Sequence, residues 1–370
     1  MIPLFKVSMS KDVVKPLGEV MTSGFIGQGP KVEEFESLLS NYFNNPYCAT
    51  LNSATSGLTL AYRLLGLQPG DEVLTSALTC TATNWPILAN GLKIKWVDVD
   101  PNTCNMDLDD LRRKISKDTK AICVVHWGGY PLDLDELSNI QKEAQDLFGH
   151  FIPIVEDCAH SMGSEYKGKK LGNHGNIAVY SFQAIKHFTT GDGGVMLLPS
   201  EELYERAKVL RWYGIDRNTN KKDFRCEEDV PEWGYKYHMN DINATIGIHN
   251  FPLFLERGNK FTENSIYYDK ALQNREGITI LNKENDRKSA SWIHTIKVED
   301  RDGFMQLMQE KEIMVSRVHE RNDIHSCVSQ YKSSLPNLDK LCNEMICIPN
   351  GWWVTEEDRE YIIGSIEEGW

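Results

Sequence analysis

The segment Tyr180-Ser-Phe-Gln-Ala-Ile-Lys-His-Phe-Thr-Thr-Gly-Asp-Gly-Gly-Val195 places one lysine, Lys186, between two apolar runs. Asn176-Ile-Ala-Val-Tyr180 leads in and Gly194-Val-Met-Leu-Leu198 leads out, and both have the composition of short buried strands. The glycines let the connecting chain turn sharply. Two structures satisfy this pattern. One is a β-hairpin whose lysine faces water, and the other is a sheet edge that holds an amine for chemistry. Local composition leaves both open.

The chain has 370 residues, enough for one large α/β unit or two domains with a substantial core. A formal net charge of -13 argues against non-specific nucleic-acid binding. The nine cysteines form no CxxC pairs, which fits a reducing compartment and no cysteine metal site. No apolar stretch is long enough to cross a membrane, and Met1-Ile-Pro-Leu-Phe-Lys6 does not read as a signal peptide. A cytoplasmic enzyme is expected.

Outward from Lys186, strand and helix signals alternate. Val32, Phe35, Leu38, Leu39, Tyr42 and Phe43 recur at helical spacing. Strands are expected near 72–74, 92–97 and 121–126, with helices at 58–65 and 108–115, so the sheet should be mostly parallel. Thr50-Leu-Asn-Ser-Ala-Thr-Ser-Gly57 feeds a helix start, where free amides and the helix dipole favour an anion; an ordinary Ser/Thr cap reads the same residues. Ile152-Pro-Ile-Val-Glu-Asp157 runs an apolar strand into a carboxylate that needs a partner once buried. A metal pair of Asp157 and His160 lacks a third ligand at motif spacing. A lone His126 reads as structural or as a pocket residue. The polar segment 218–232 is expected as a surface loop, and a helix over 252–272 opens a smaller α/β region.

Tyr180-Ser-Phe-x-x-x-Lys-x-x-Thr-Thr-Gly-Asp-Gly-Gly resembles the cofactor-bonding segment of the DegT/DnrJ/EryC1/StrS family of nucleotide-sugar aminotransferases, which use pyridoxal 5′-phosphate. Six further motifs follow in order, from about residue 2 to about residue 356. The resemblance implies an α/β aspartate-aminotransferase-like fold (fold type I). A large domain over 1–250 would carry a mixed, mostly parallel sheet, and a smaller α/β domain would span 251–370. It implies that Lys186 bonds the cofactor and moves the proton, that Asp157 faces the pyridine nitrogen, and that His160 lies beside the ring. Ala54, Thr55 and Ser181 would hold the phosphate. Lys236, where relatives carry Asn, would reach the phosphate of the neighbouring subunit in a homodimer with shared sites.

Cys80 stands where relatives place a ring that stacks on the cofactor, and Trp85 is the nearest aromatic to compensate. His319, Arg321 and His325 would contact substrate. The expected reaction moves an amino group from an amino acid, glutamate, to a nucleotide-linked keto-deoxysugar, a 4-keto-6-deoxyhexose, with no metal. Related sugar dehydratases carry His at the lysine position, whereas Lys186 is retained here. The alternatives are a 3-ketosugar aminotransferase, a pyridoxal-phosphate-dependent sugar dehydratase or lyase, and a non-catalytic regulatory homologue.

Overall fold

The computed structural model describes residues 1–217 and 229–369, so most of the expected 218–232 loop lies outside the described residues. In chain order the elements are α1 (Val14–Thr22), α2 (Pro30–Phe43), β1 (Cys48–Leu51), α3 (Ala54–Leu64), β2 (Glu72–Ser76), α4 (Thr81–Ala89), β3 (Lys93–Val97), α5 (Leu108–Lys114), β4 (Thr119–Val125) and α6 (Leu134–Phe148). There follow β5 (Ile154–Asp157), β6 (Glu165–Tyr166), β7 (Lys169–Lys170), β8 (Ile177–Ser181), β9 (Gly194–Leu197), α7 (Glu201–Leu210) and α8 (Asp241–Leu272). The last third adds β10 (Ile278–Ile280), β11 (Arg287–Lys288), β12 (His294–Val298), α9 (Arg301–Glu310), α10 (Pro336–Glu344), β13 (Met345–Ile348) and α11 (Glu356–Gly369).

The main sheet has the order β1-β9-β8-β5-β4-β2-β3. The pairs from β8 to β3 are parallel, and β9 runs antiparallel to both its neighbours. The sheet is buried on both faces, as parallel strands require. Along β4, Ala121 and Cys123 join one core while Ile122 and Val124 join the other. The hairpin pattern at 176–198 is therefore correct as to pairing, since β8 and β9 are antiparallel partners. The lysine between them does not face open water.

Helix α3 approaches the sheet closely because Gly57 has no side chain: a Cβ there would lie 2.7 Å from Val179 and 3.0 Å from Leu51. This contact sets the height of the α3 N-terminus above the sheet edge. Helix α2 buries Val32, Phe35, Leu39 and Phe43, the expected stripe. Its first turn is capped from afar by Asp241, whose Oδ1 accepts from the Gly29 and Val32 amides at 2.8 and 3.2 Å.

Asp241 also opens α8, which continues for 32 residues through Pro252. The helix thus begins 11 residues before the proline taken as its start. The N–H that proline lacks is offset by packing, with Phe251 and Phe254 edge-on to Tyr42 of α2. The position 250/251 falls inside this helix. Beyond it, β10, β12 and β13 form an antiparallel sheet whose core takes Tyr268 and Leu272 from α8, Phe304 and Met308 from α9, and Ile362 and Ile366 from α11. Two strand pairings cross between the regions: Ile2 bridges to Ile313, and β11 pairs with β6.

Gly57→Val should overpack the α3–sheet contact and lower unfolding stability by about 1–3 kcal/mol. Urea denaturation checks this, and an unchanged midpoint would contradict the close-approach account.

Candidate active site

The site collects at the carboxyl ends of the parallel strands, where open α/β sheets bind ligands. At one end of it, Ser53 caps α3 by accepting from the Ser56 amide at 3.1 Å. Ala54 and Thr55 follow as the first helical residues, ahead of the first intrahelical bond from Gly57 to Ser53. Ser181, the last residue of β8, pairs in register with Gly194, and Gly194 pairs with Leu51. A Cβ on Gly194 would sit 2.8 Å from the Ala54 amide nitrogen. Ala54, Thr55 and Ser181 thus come together at one edge of the sheet.

At the centre, β5 ends in Asp157, only 4 % exposed. Its Oδ2 accepts from Thr83 Oγ1 at 2.7 Å and its Oδ1 from the Ala159 amide at 2.9 Å. Burial pushes its carboxyl above the ordinary value, opposed by those two bonds and by the charge of Lys186. Lys186 lies in the β8–β9 connection, which Thr189 and Thr190 shape by bonding the Phe182 carbonyl. Desolvation pushes its amine down to about 8, against Asp157 and Cys80, which raise it.

The wall opposite is aromatic. Lys186 Nζ lies 3.5 Å from the ring centroid of Trp292. His160 stacks on Trp292 at 4.1 Å, and His319 lies parallel to His160 at 5.6 Å. Burial, then the nearby Lys186 charge, push His160 well down and His319 down to about 3, so both imidazoles are neutral. His160 Nδ1 and His319 Nε2 are buried without hydrogen-bond partners.

The remaining expected residues divide. Cys80 occupies the N-cap position of α4, half-buried and without a side-chain cap bond, near Lys186. The Trp85 ring meets His325 edge-on at 5.8 Å. Arg321 pairs with Asp323 and Asp339, which satisfy its charge. Lys236 is exposed, and its carbonyl accepts from Asn52 beside the α3 cap.

His126 is not a pocket residue. Its Nδ1 accepts from the Leu132 amide, so its Nε2 carries the proton and donates to buried Glu156 at 3.0 Å. That leaves no ring lone pair for a metal, although Cys158 and Glu156 lie nearby.

The profile of the DegT/DnrJ/EryC1/StrS aminotransferase family matches residues 7–367. The chain belongs to that family. Its fold is close to the sugar aminotransferase CalS13 from Micromonospora echinospora, at TM-score 0.96 and 45% identity over 100% of both chains. It is 32% identical over 299 residues, 80% of this chain and 76% of the other, to the UDP-4-amino-4,6-dideoxy-N-acetyl-β-L-altrosamine transaminase of Campylobacter jejuni. It is 29% identical over 387 residues, 99% of this chain and 97% of the other, to the UDP-4-amino-4-deoxy-L-arabinose–oxoglutarate aminotransferase of Shewanella sediminis.

This sugar aminotransferase is a pyridoxal-phosphate enzyme of fold type I. The residues present fit that group. A phosphate suits the α3 amides beside Gly194, a protonated ring nitrogen is the cation that buried Asp157 needs, and Lys186 offers an amine close to neutrality. Two contributors were missed in the sequence. Thr83 lies 74 residues from the carboxylate it bonds, and Trp292 sits two residues before β12, next to Ser291 with its positive φ of 52°. The Asn322 side chain, buried, ties its loop to Thr79 and Asn84 at 2.8 and 2.9 Å.

Because burial disfavours the charged amine, Lys186 should be a nucleophile at lower pH than an ordinary lysine. Acylation followed by peptide mass spectrometry should give it a midpoint near 8. A midpoint at the ordinary 10.5 would contradict the burial.

Proposed function

We propose that the enzyme moves the amino group of glutamate to C4 of a nucleotide-linked 4-keto-6-deoxyhexose, releasing oxoglutarate. The observation that carries the transfer is the retained Lys186 amine facing the buried Asp157 carboxylate. C4 and the nucleotide link are supported by the names of the Campylobacter and Shewanella relatives, and glutamate by the oxoglutarate in the second. The 6-deoxy carbon is supported by the first alone.

When bound, the cofactor supplies a carbonyl that carries the amino group and a ring that withdraws electrons from the reacting carbon. The amides of Ala54 and Thr55 with Ser181 hold its phosphate. Asp157 holds the proton on the ring nitrogen, and Thr83 and the Ala159 amide fix that carboxylate. Lys186 Nζ takes the proton from the amino-bearing carbon and returns it on the other side, which needs an amine that changes charge near neutral pH. Neutral His160 and His319 offer their unpartnered nitrogens to the cofactor edge and to sugar hydroxyls respectively. Trp127 and Trp292 keep water from the reacting carbon. Arg321 and His325 act on the substrate by holding the His319 loop.

The working unit we propose is a homodimer in which Lys236 reaches the partner's phosphate. This is supported by its exposure and by the exposed Met21 in the last turn of α1 with Phe25 and Ile26 just after it, apolar side chains that suit a second copy. The described cysteines are unpaired, which supports a cytoplasmic setting. No helix among the described residues is long and apolar enough to cross a membrane.

Glutamate or glutamine tested against dTDP-, GDP- and UDP-linked 3- and 4-ketosugars should give ketoacid only when both substrates are present, with nitrogen at C4 by NMR. Lys186→Ala should lower the rate by at least about 100-fold. Nitrogen at C3 would reverse the regiochemistry, and deoxygenation without nitrogen would defeat the transferase reading. In a separate test, inactive Lys186→Ala and Lys236→Ala chains should regain activity when mixed. No recovery from two inactive parents would contradict the shared site.

A further inference from the structure

A lysine that bonds a cofactor must let go of it when the amino group is carried, and the released chain then has four rotatable bonds and a charge to place. In this fold the place is built. Trp292 is 1 % exposed and its indole is fixed on every side. Its Nε1 donates to the carbonyl of Ile185, the residue before the lysine, at 3.0 Å. Its amide donates to the Gly128 carbonyl at 2.8 Å. Phe5 stacks on it at 5.1 Å and 19°, and His160 at 4.1 Å and 28°. The Lys186 Nζ lies 3.5 Å from the ring centroid, well inside the range in which an aromatic face attracts an ammonium.

We propose that Trp292 is a positioning residue whose indole face receives the uncombined Lys186 ammonium, holding it beside the reacting carbon between its release and its return. This rests on the reading of Lys186 as the cofactor-bonding lysine. The groups that face the amine are Asp157 from β5, Cys80 from the start of α4, and the imidazoles of His160, His187 and His319. Of these, Asp157 alone offers a fixed negative charge, and it is engaged by Thr83 and by the ring nitrogen when cofactor is bound. The indole face then supplies attraction for the ammonium without competing for that carboxylate. An aliphatic side chain would bury the amine equally and attract it less.

The test reads the amine itself. In the full chain freed of cofactor, the acylation midpoint of Lys186 is measured for wild type, Trp292→Phe and Trp292→Leu. The aromatic face favours the charged form, so Leu should lower the midpoint by about half a unit or more, while Phe should stay close to wild type. Biosynthetic replacement of tryptophan by fluorinated tryptophan keeps the ring shape, withdraws π density and should lower the midpoint as well, which covers a Leu variant that fails to fold. With cofactor, Leu should reduce kcat more than KM, and Phe should restore it. Equal shifts in Leu and Phe would assign the effect to the lost Nε1 bond to Ile185, and an unmoved midpoint in fluorinated protein would remove the cation–π role; either overturns the proposal. Should another lysine bond the cofactor, the midpoint shift at Lys186 would persist, so the two readings fail separately.

Discussion

A carboxylate buried at the end of a sheet is costly unless a positive charge stands opposite it, and Asp157 sets that condition for the whole site. Thr83 and the Ala159 amide satisfy its lone pairs but supply no charge. Lys186 is the cation facing it from within the chain, and burial weakens even that by pushing the amine toward neutrality. A protonated pyridine nitrogen, in the role proposed for the cofactor, would add a second cation opposite this carboxylate. Sheet topology makes the arrangement possible. β5 and β8 are parallel neighbours, so Asp157 and Ser181 emerge at the same edge, and the antiparallel β9 returns the chain there after the lysine.

The smaller C-terminal region completes the site rather than merely covering it. Asn322 bonds to the Thr79 carbonyl and to Asn84, and Thr79 is hydrogen-bonded to Thr83. A continuous polar chain thus links the His319 loop to the carboxylate. Such a chain fixes the distance between the His319 loop and Asp157, the two groups proposed above to meet the sugar and the cofactor. Trp292 does the same from β12's leading edge, bonded to Ile185 and stacked with His160.

Much of this was legible in the sequence where function is carried by a contiguous run. The Tyr180–Val195 segment, the Thr50–Gly57 helix start and the strand ending at Asp157 each showed their strand or helix character in local pattern, while the family resemblance, not that pattern, supplied their expected roles. What stayed hidden depends on contacts distant in sequence. Trp292 carries no motif of its own, and it meets the lysine from two residues before β12, more than 100 residues along the chain. The start of α8 was obscured because Pro252 is a strong helix-start signal, whereas Asp241 caps a different helix altogether. Arg321, expected at the substrate from the resemblance, is already held by two aspartates, one of them 18 residues away. The family pattern at Cys80 marked a missing ring, and the ring next to the lysine comes from the other end of the chain.

The central claim is that Lys186 is the amine that bonds the cofactor. Protein loaded with pyridoxal phosphate, reduced with borohydride and digested, should carry one pyridoxyl adduct, and mass spectrometry should map it to Lys186. An adduct on another lysine, or none on folded protein, would contradict the account.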